Sequence, residues 1–173
     1  FYVGGAGLNT TYDGYNGNAK FIKEDGTVLT TAVVGERLKV VINAKALGAT
    51  TDKFEISPLG AGLVAYMGNM EFVDEYQPPV QPPVETEILM QDFTGIAPAY
   101  LTWEKATSEE LTATGMSGDV FKFRALQDMF NNGVSEYMMI EGLSTSDKLL
   151  VFDLYLSEEN TANVMILVVG GVG

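Results

Sequence analysis

The chain has 173 residues, of which 46% are hydrophobic, and its 10 basic and 23 acidic residues give a formal net charge of -13. This length and apolar content predict one folded domain with a buried core. The negative charge repels phosphate backbones and anionic headgroups, which argues against nucleic acid and membrane partners, and no apolar run is long enough to span a bilayer.

The absence of His and Cys excludes the common catalytic arrangements. Without these residues the chain cannot build a Ser-His-Asp site, a Cys nucleophile, a disulfide or the usual zinc ligand sets. Paired carboxylates would be enough for a glycosidase, but acidic residues on β-domains usually lie on the solvated face. We therefore predict that the protein is not an enzyme, the acidic candidates being Glu71, Asp74, Asp92, Glu104 and Asp153.

The first segment, residues 1–17, is rich in glycine and predicts an extended N-terminal arm. Asn9 opens a glycosylation sequon on this arm. Asp13, Asn16 and Asn18 offer alternating oxygen ligands that would suit calcium, and a metal-free turn is the simpler interpretation. Apart from this calcium, no cofactor is predicted.

Alternating and apolar runs predict antiparallel strands through the rest of the first half. Asp25-Gly26 predicts a hairpin turn, because Gly accepts positive φ. The turn at Gly35-Glu36 leads into the clearest strand, and this opening resembles that of secreted immunoglobulin-like modules. The strands are predicted at 21–22, 28–29, 37–44, 54–56, 63–67 and 70–73, with a corner at 57–60.

The segment 78–84 contains four prolines and separates the two halves of the sequence. Proline lacks an amide donor and cannot occupy a central strand, so this segment predicts a stiff polyproline crossover between two lobes of a single domain, 1–173. A recognition motif for an aromatic groove is the alternative interpretation.

The second half is also predicted to be β-rich, with one short helix. Ser117 or Asp119 as N-cap and Asn132-Gly133 as a stop predict a helix over 120–131, and Thr107 begins a capped turn. Strands are predicted at 87–90, 99–103, 134–140, 148–156 and 164–169. Together the pattern predicts a mainly β fold, an antiparallel β-sandwich of immunoglobulin-like or jelly-roll-like type.

Several tyrosines would suit a glycan-binding surface, because their rings stack on sugars. Core or interface packing is the alternative interpretation, since these tyrosines are scattered between the arm and the strands. They are Tyr12, Tyr15, Tyr66, Tyr76 and Tyr100.

The two ends of the chain carry the functional prediction. The run 164–169 is apolar on both faces, so it must lie centrally in a sheet or insert into a neighbouring subunit. With the glycine-rich arm, it predicts a structural subunit of a homopolymer, such as a pilus-like filament, fibre, sheath or surface layer, assembled by β-strand addition. The predicted interface residues are Phe1, Tyr2, Val3, Leu8, Val164, Ile166 and Val168.

The setting predicted for this polymer is extracellular or on the cell surface. The sequence starts at Phe1 with neither an initiator Met nor an apolar leader, which we interpret as the product of signal-sequence removal. A viral coat, tail or decoration protein and a secreted carbohydrate-binding module are the alternative functions.

Overall fold

The computed structural model describes residues 2–4, 18–29, 32–76, 86–88, 99–159 and 164–169. Within these ranges the chain forms twelve strands and two short helices. The strands are β1 (Tyr2–Gly4), β2 (Ala19–Lys23), β3 (Val28–Leu29), β4 (Arg37–Ile42), β5 (Lys53–Leu59), β6 (Val64–Val73), β7 (Thr86–Ile88), β8 (Leu101–Lys105), β9 (Val120–Ala125), β10 (Glu136–Met139), β11 (Leu149–Leu156) and β12 (Val164–Val169), and the helices are α1 (Ala44–Leu47) and α2 (Ser108–Thr114).

The strands form two antiparallel sheets that pack face to face. The small sheet has the order β1-β12-β5-β10, and the large sheet has the order β3-β2-β4-β11-β6-β9-β8, with β7 also paired to β6. One apolar cluster contains buried residues of both sheets. At its centre the ring of Phe54 from β5 meets the ring of Phe152 from β11 edge-on, with 5.6 Å between ring centroids. The predicted mainly β, antiparallel sandwich is therefore confirmed.

Local turn chemistry explains the first hairpin. β2 and β3 pair on either side of Asp25-Gly26, where Gly26 has a φ of 87°.

The predicted corner at 57–60 is displaced, since Ser57 and Pro58 lie within β5 and the chain turns at Gly60. β10 pairs with β5 only as far as Ile56, so Pro58 extends β5 beyond β10 and removes no amide from that ladder.

The helix predicted over 120–131 is wrong. Val120–Ala125 is strand β9, which pairs with β6 on one side and with β8 on the other. Its aromatic residues alternate with Lys122 and Arg124, a period of two, and the ring of Trp103 in β8 stacks on Phe121 with 5.1 Å between centroids. Pairing on both sides outweighs the cap-like residues at the ends of this segment.

The helix in this part of the chain is α2, which grows from the predicted capped turn. Thr107 accepts a hydrogen bond from the Glu110 amide, and the Glu110 side chain accepts one from the Thr107 amide, completing a capping box. The helix ends at Gly115, whose φ of 66° suits glycine.

A β-bulge interrupts β6 at Asn69 and Met70, which together lie opposite Phe152 of β11. The register of β6 against β11 shifts between Val151 and Asp153, so that β6 contains one extra residue. Asn69 has a φ of 50° and is the one non-glycine residue with positive φ in the described ranges. Asn tolerates this left-handed conformation better than most residues.

The bulge changes which face of the sheet the following residues occupy. Met67 and Met70 both lie in the core between the sheets although they are three positions apart, which an uninterrupted strand would not allow. Phe72 also lies in the core, whereas Glu71 and Val73 occupy the opposite, outer face of the large sheet.

We expect Gly68→Ala to lower the free energy of unfolding by about 3 kcal/mol, because overpacking against backbone atoms forces a local shift. A Cβ atom at Gly68 would lie 2.4 Å from the Asp119 carbonyl oxygen and 2.8 Å from Val120 Cα. Gly48→Ala is the control, since its Cβ would meet nothing within 4 Å and only its positive φ costs energy, about 1 kcal/mol. Urea unfolding measures both losses, and equal losses would contradict the expected steric clash at Gly68.

Candidate functional site

The N-terminal strand lies at one edge of the small sheet. β1 pairs with the first half of β12, with Tyr2 opposite Ile166, Val3 opposite Met165 and Gly4 opposite Val164. On its other side, β12 pairs with β5 from Val164 to Val169. β12 thus lies between two strands of its own sheet, which is one of the two placements that its two-faced apolar sequence predicts.

The two ladders on β12 differ in length. β1 makes three residue pairs with β12, whereas β5 makes six. The side chains of Met165, Leu167 and Val169 are fully buried in the core between the sheets. β12 is therefore anchored by the core and by β5, while β1 adds a shorter ladder at the edge of the sheet.

The structure brings part of the predicted interface together. Tyr2 and Val3 lie in β1, and Val164, Ile166 and Val168 lie in β12. Phe1 and Leu8 fall outside the described residues, as do the glycosylation residue Asn9, the crossover 78–84 and the proposed calcium ligands Asp13 and Asn16. Asn18 is described, and its backbone carbonyl accepts a hydrogen bond from the Asn43 amide, 2.7 Å away.

A cavity of about 480 Å³ lies on the outer face of the large sheet. Its size is in the range of small-molecule pockets. Apolar and polar side chains both line it, among them Ile22, Val41, Leu149, Lys20, Asn43 and Tyr76.

A buried polar cluster lies beside the cavity on the same face. Lys39 of β4 is directly opposite Asp153 of β11, and Lys39 Nζ lies 2.9 Å from Asp153 Oδ1. The two side chains are only 9% and 11% exposed. Asn69 donates through Nδ2 to Asp153 Oδ2 at 2.7 Å and to the Ser117 carbonyl at 2.6 Å.

The contact between Lys39 and Asp153 is an ion pair by distance but does not have the angles of a hydrogen bond. Within the described part of the chain, Lys39 Nζ is buried and has no hydrogen-bond acceptor. A buried ammonium in this state is costly, because its lost hydration is not replaced. Asp153 and Glu71 were expected on a solvated face, and both are instead buried.

Tyr76 is half-buried and lies close to this cluster. Burial raises the pKa of the Tyr76 phenol, and the negative charges of Asp153 and Glu71 raise it further, against an opposing effect of Arg37. Of the other tyrosines considered for glycan binding, Tyr66 is buried and Tyr100 is half-buried, while Tyr12 and Tyr15 lie outside the described residues.

A separate ion pair fixes α2 on the large sheet. Lys122 Nζ lies 2.6 Å from Glu110 Oε1, and the Thr107 amide donates to Glu110 Oε2 at 2.9 Å. The hydrogen bond from Lys122, followed by the one from Thr107, lowers the pKa of Glu110 to about 2. These contacts connect the capping box of α2 to β9 and have a structural role.

In the described ranges, no group of three or more His, Cys, Asp or Glu side chains is placed to hold a metal ion. The predicted calcium ligands Asp13 and Asn16 lie outside those ranges, so calcium binding on the arm stays a prediction. None of the helices in those ranges is long and apolar enough to cross a membrane.

Comparison of the chain with protein-family models, with curated proteins and with solved structures yields no match.

We expect the ion pair of Glu110 to make folding stability depend on pH in the acid range. The pKa of Glu110 is about 2 in the folded chain against an ordinary value of 4.5, so the unfolded chain takes up the proton first. The stabilisation is complete above the higher value and is lost as the pH falls towards the lower one. Glu110→Gln should cost about 1–3 kcal/mol at neutral pH and flatten this part of the stability profile.

Urea unfolding between neutral pH and acid measures this difference. Glu109→Gln is the matched control, because Glu109 is an exposed neighbour in the first turn of the same helix. Its profile should follow that of the unchanged protein. A Glu110→Gln profile with the same acid slope as the control would show that this pair does not stabilise the fold.

Proposed function

We propose that the protein is a structural subunit of an extracellular homopolymer, in which the N-terminal strand is exchanged between copies. The pairing of β1 with β12 carries the proposal. It is a short edge ladder between the two ends of the described chain, and the equivalent β1 of another copy offers the same backbone groups to β12.

The length of the connecting segment supports exchange. Residues 5–17 join β1 to the rest of the chain and have a contour length of at most about 45 Å. A compact domain of this size has a radius of gyration of about 16 Å. The segment is thus long enough to carry β1 onto the β12 of an adjacent copy.

Pairing of β1 with the β12 of another copy competes with its pairing to β12 of the same chain. Both forms make the same contacts, so exchange becomes favourable as the protein concentration approaches the effective concentration of the tethered strand. For a linker of this length the effective concentration is about millimolar. A concentrated or surface-bound setting would therefore favour the polymer.

Exposed apolar residues near the opposite edge of the small sheet support further contacts between subunits. β10 forms that edge, and Met139 at its end is 54% exposed. Leu126 and Phe130, in the connection that precedes β10, are also exposed. Exposed apolar groups of this kind are common where subunits meet. The same exchange would serve a viral coat, tail or decoration protein.

We expect the full chain to form oligomers of increasing size as its concentration approaches the millimolar range, and a variant lacking residues 1–4 to remain monomeric. Light scattering after size-exclusion chromatography and electron microscopy measure the difference. The truncated variant should bind a synthetic peptide of residues 1–8 saturably and should not bind a scrambled peptide of the same composition.

A variant lacking residues 170–173 is the control for shortening the chain, and it should still assemble. Assembly of the variant without residues 1–4 to the same extent as the full chain would refute strand exchange. A full chain that stays monodisperse at every concentration would refute the polymer itself.

A carbohydrate-binding module is the second candidate, and the cavity on the outer face favours it. Amide, amine and phenol groups beside apolar side chains are suited to sugar hydroxyls and sugar faces.

We expect a ligand found on a glycan array to bind a monomer saturably, and Tyr76→Ala to weaken that binding about tenfold, as the loss of one aromatic contact implies. Tyr137→Ala, in β10 of the small sheet, should leave calorimetric binding unchanged. Equal affinities for both variants would exclude this cavity as the sugar site.

A further inference from the structure

We propose that Lys39 and Asp153 are joined by an intramolecular isopeptide bond, an amide between the two side chains that the folded chain forms without any cofactor. This modification goes beyond the proposed polymer and does not depend on it.

The placement of the two side chains carries the inference. They extend from the same face of adjacent strands, β4 and β11, at directly opposed positions. Lys39 Nζ lies 2.9 Å from Asp153 Oδ1, so the carboxyl carbon bonded to that oxygen is within contact distance of the nitrogen. The nitrogen has no hydrogen-bond acceptor in the described ranges, and it is held at a carboxyl group instead. This is the proximity that an intramolecular attack needs.

Apolar side chains flank the two groups. Ile22 of β2 is directly opposite Lys39. Val41 and Val151 are two residues from Lys39 and Asp153 on the same face of β4 and β11, and all three apolar side chains are buried. The side chains of Lys39 and Asp153 are only 9% and 11% exposed, so little water competes with attack of the amine on the carboxyl carbon. A neutral amine is the nucleophile that amide formation requires.

Asn69 supplies a hydrogen-bond donor on the other side of the carboxyl group. Its Nδ2 lies 2.7 Å from Asp153 Oδ2, and the Ser117 carbonyl fixes the same nitrogen. Gly118 packs so closely that a Cβ there would lie 2.3 Å from Asn69 Oδ1. The donor is thus held in place before reaction, where it can stabilise negative charge on Oδ2 as the nitrogen adds to the carbon.

The reaction balances within the pair. One proton passes from the Lys39 ammonium to Asp153 Oδ1, and the resulting amine adds through Nζ to Cγ, with negative charge developing on Oδ2. A second proton from the nitrogen then reaches Oδ1, the bond between Cγ and Oδ1 breaks, and one water leaves. The third proton stays on the amide nitrogen, and Oδ2 becomes the amide oxygen beside Asn69. Nothing is oxidised or reduced.

The bond would tie two central strands of the large sheet in a chain that has no cysteine. It would close a long loop, from Lys39 to Asp153, and so restrict the unfolded chain as a disulfide does. Such a tie would suit a subunit that bears load in a polymer.

Mass spectrometry of the intact, denatured full chain tests the inference. We expect a mass lower than the sequence mass by one water, and a proteolytic fragment in which the peptides of Lys39 and Asp153 are joined. Lys39→Arg and Asp153→Ala should each have the full sequence mass. Lys105→Arg, which keeps its surface charge beside Asp119, is the control and should retain the loss of water.

Thermal unfolding gives a second readout. Lys39→Arg should unfold about 10 °C or more below the unchanged protein, as the removal of a tie that closes a long loop implies. A folded, unchanged chain at its full sequence mass would overturn the proposal. A loss of ammonia with Lys39 joined to Asn69 would overturn the assignment to Asp153.

Discussion

β6 crosses the middle of the large sheet, and its apolar residues form two runs that a regular strand could not place on one face. Ala65 and Met67 precede the bulge, and Met70 and Phe72 follow it, yet all four lie in the core. The extra residue of the bulge, at Asn69–Met70, resolves this conflict. The bulge restricts which residues can occupy positions 68 and 69, because Gly68 has no room for a side chain and Asn69 must adopt a positive φ. Both the core and the pairings with β7 and β9 depend on that single irregularity.

The same bulge builds the polar cluster on the outer face. It turns the Asn69 side chain towards Asp153 and leaves the Gly68 backbone close to the connection that contains Asp119. Strict alternation in β4 and β11 then places Lys39 against Asp153, two residues whose neighbours along each strand are core residues. Buried opposite charges of this kind rarely stabilise a fold more than apolar residues would. As a covalent link the pair would stabilise the fold, which a buried ion pair alone rarely does.

The two proposals concern different sheets, which makes them compatible. Exchange involves β1 at an edge of the small sheet, whereas the isopeptide bond joins β4 and β11 near the centre of the large sheet. β1 contributes three residue pairs at the edge, and the described core residues belong to other parts of the chain. A subunit built this way would change partners at one edge and resist unfolding elsewhere. Met139 and Phe130, exposed near the opposite edge of the small sheet, mark where further contacts would form.

Short-range patterns in the sequence were enough to predict the mainly β sandwich and the hairpin at Gly26, because periodicity and turn preferences act over a few residues. For β12 they left two placements open, a central one in its own sheet and insertion into a neighbouring subunit. The same patterns were wrong for β9. Cap-like residues predicted a helix there, whereas the segment pairs with β6 and β8 and is a strand. Exchange of β1 stays a prediction. Such patterns could not predict that the side chains of Lys39, Asn69 and Asp153 lie together, since this contact depends on strand register and on the bulge. Register between distant segments is set by packing of the whole core, and only the tertiary structure decided it.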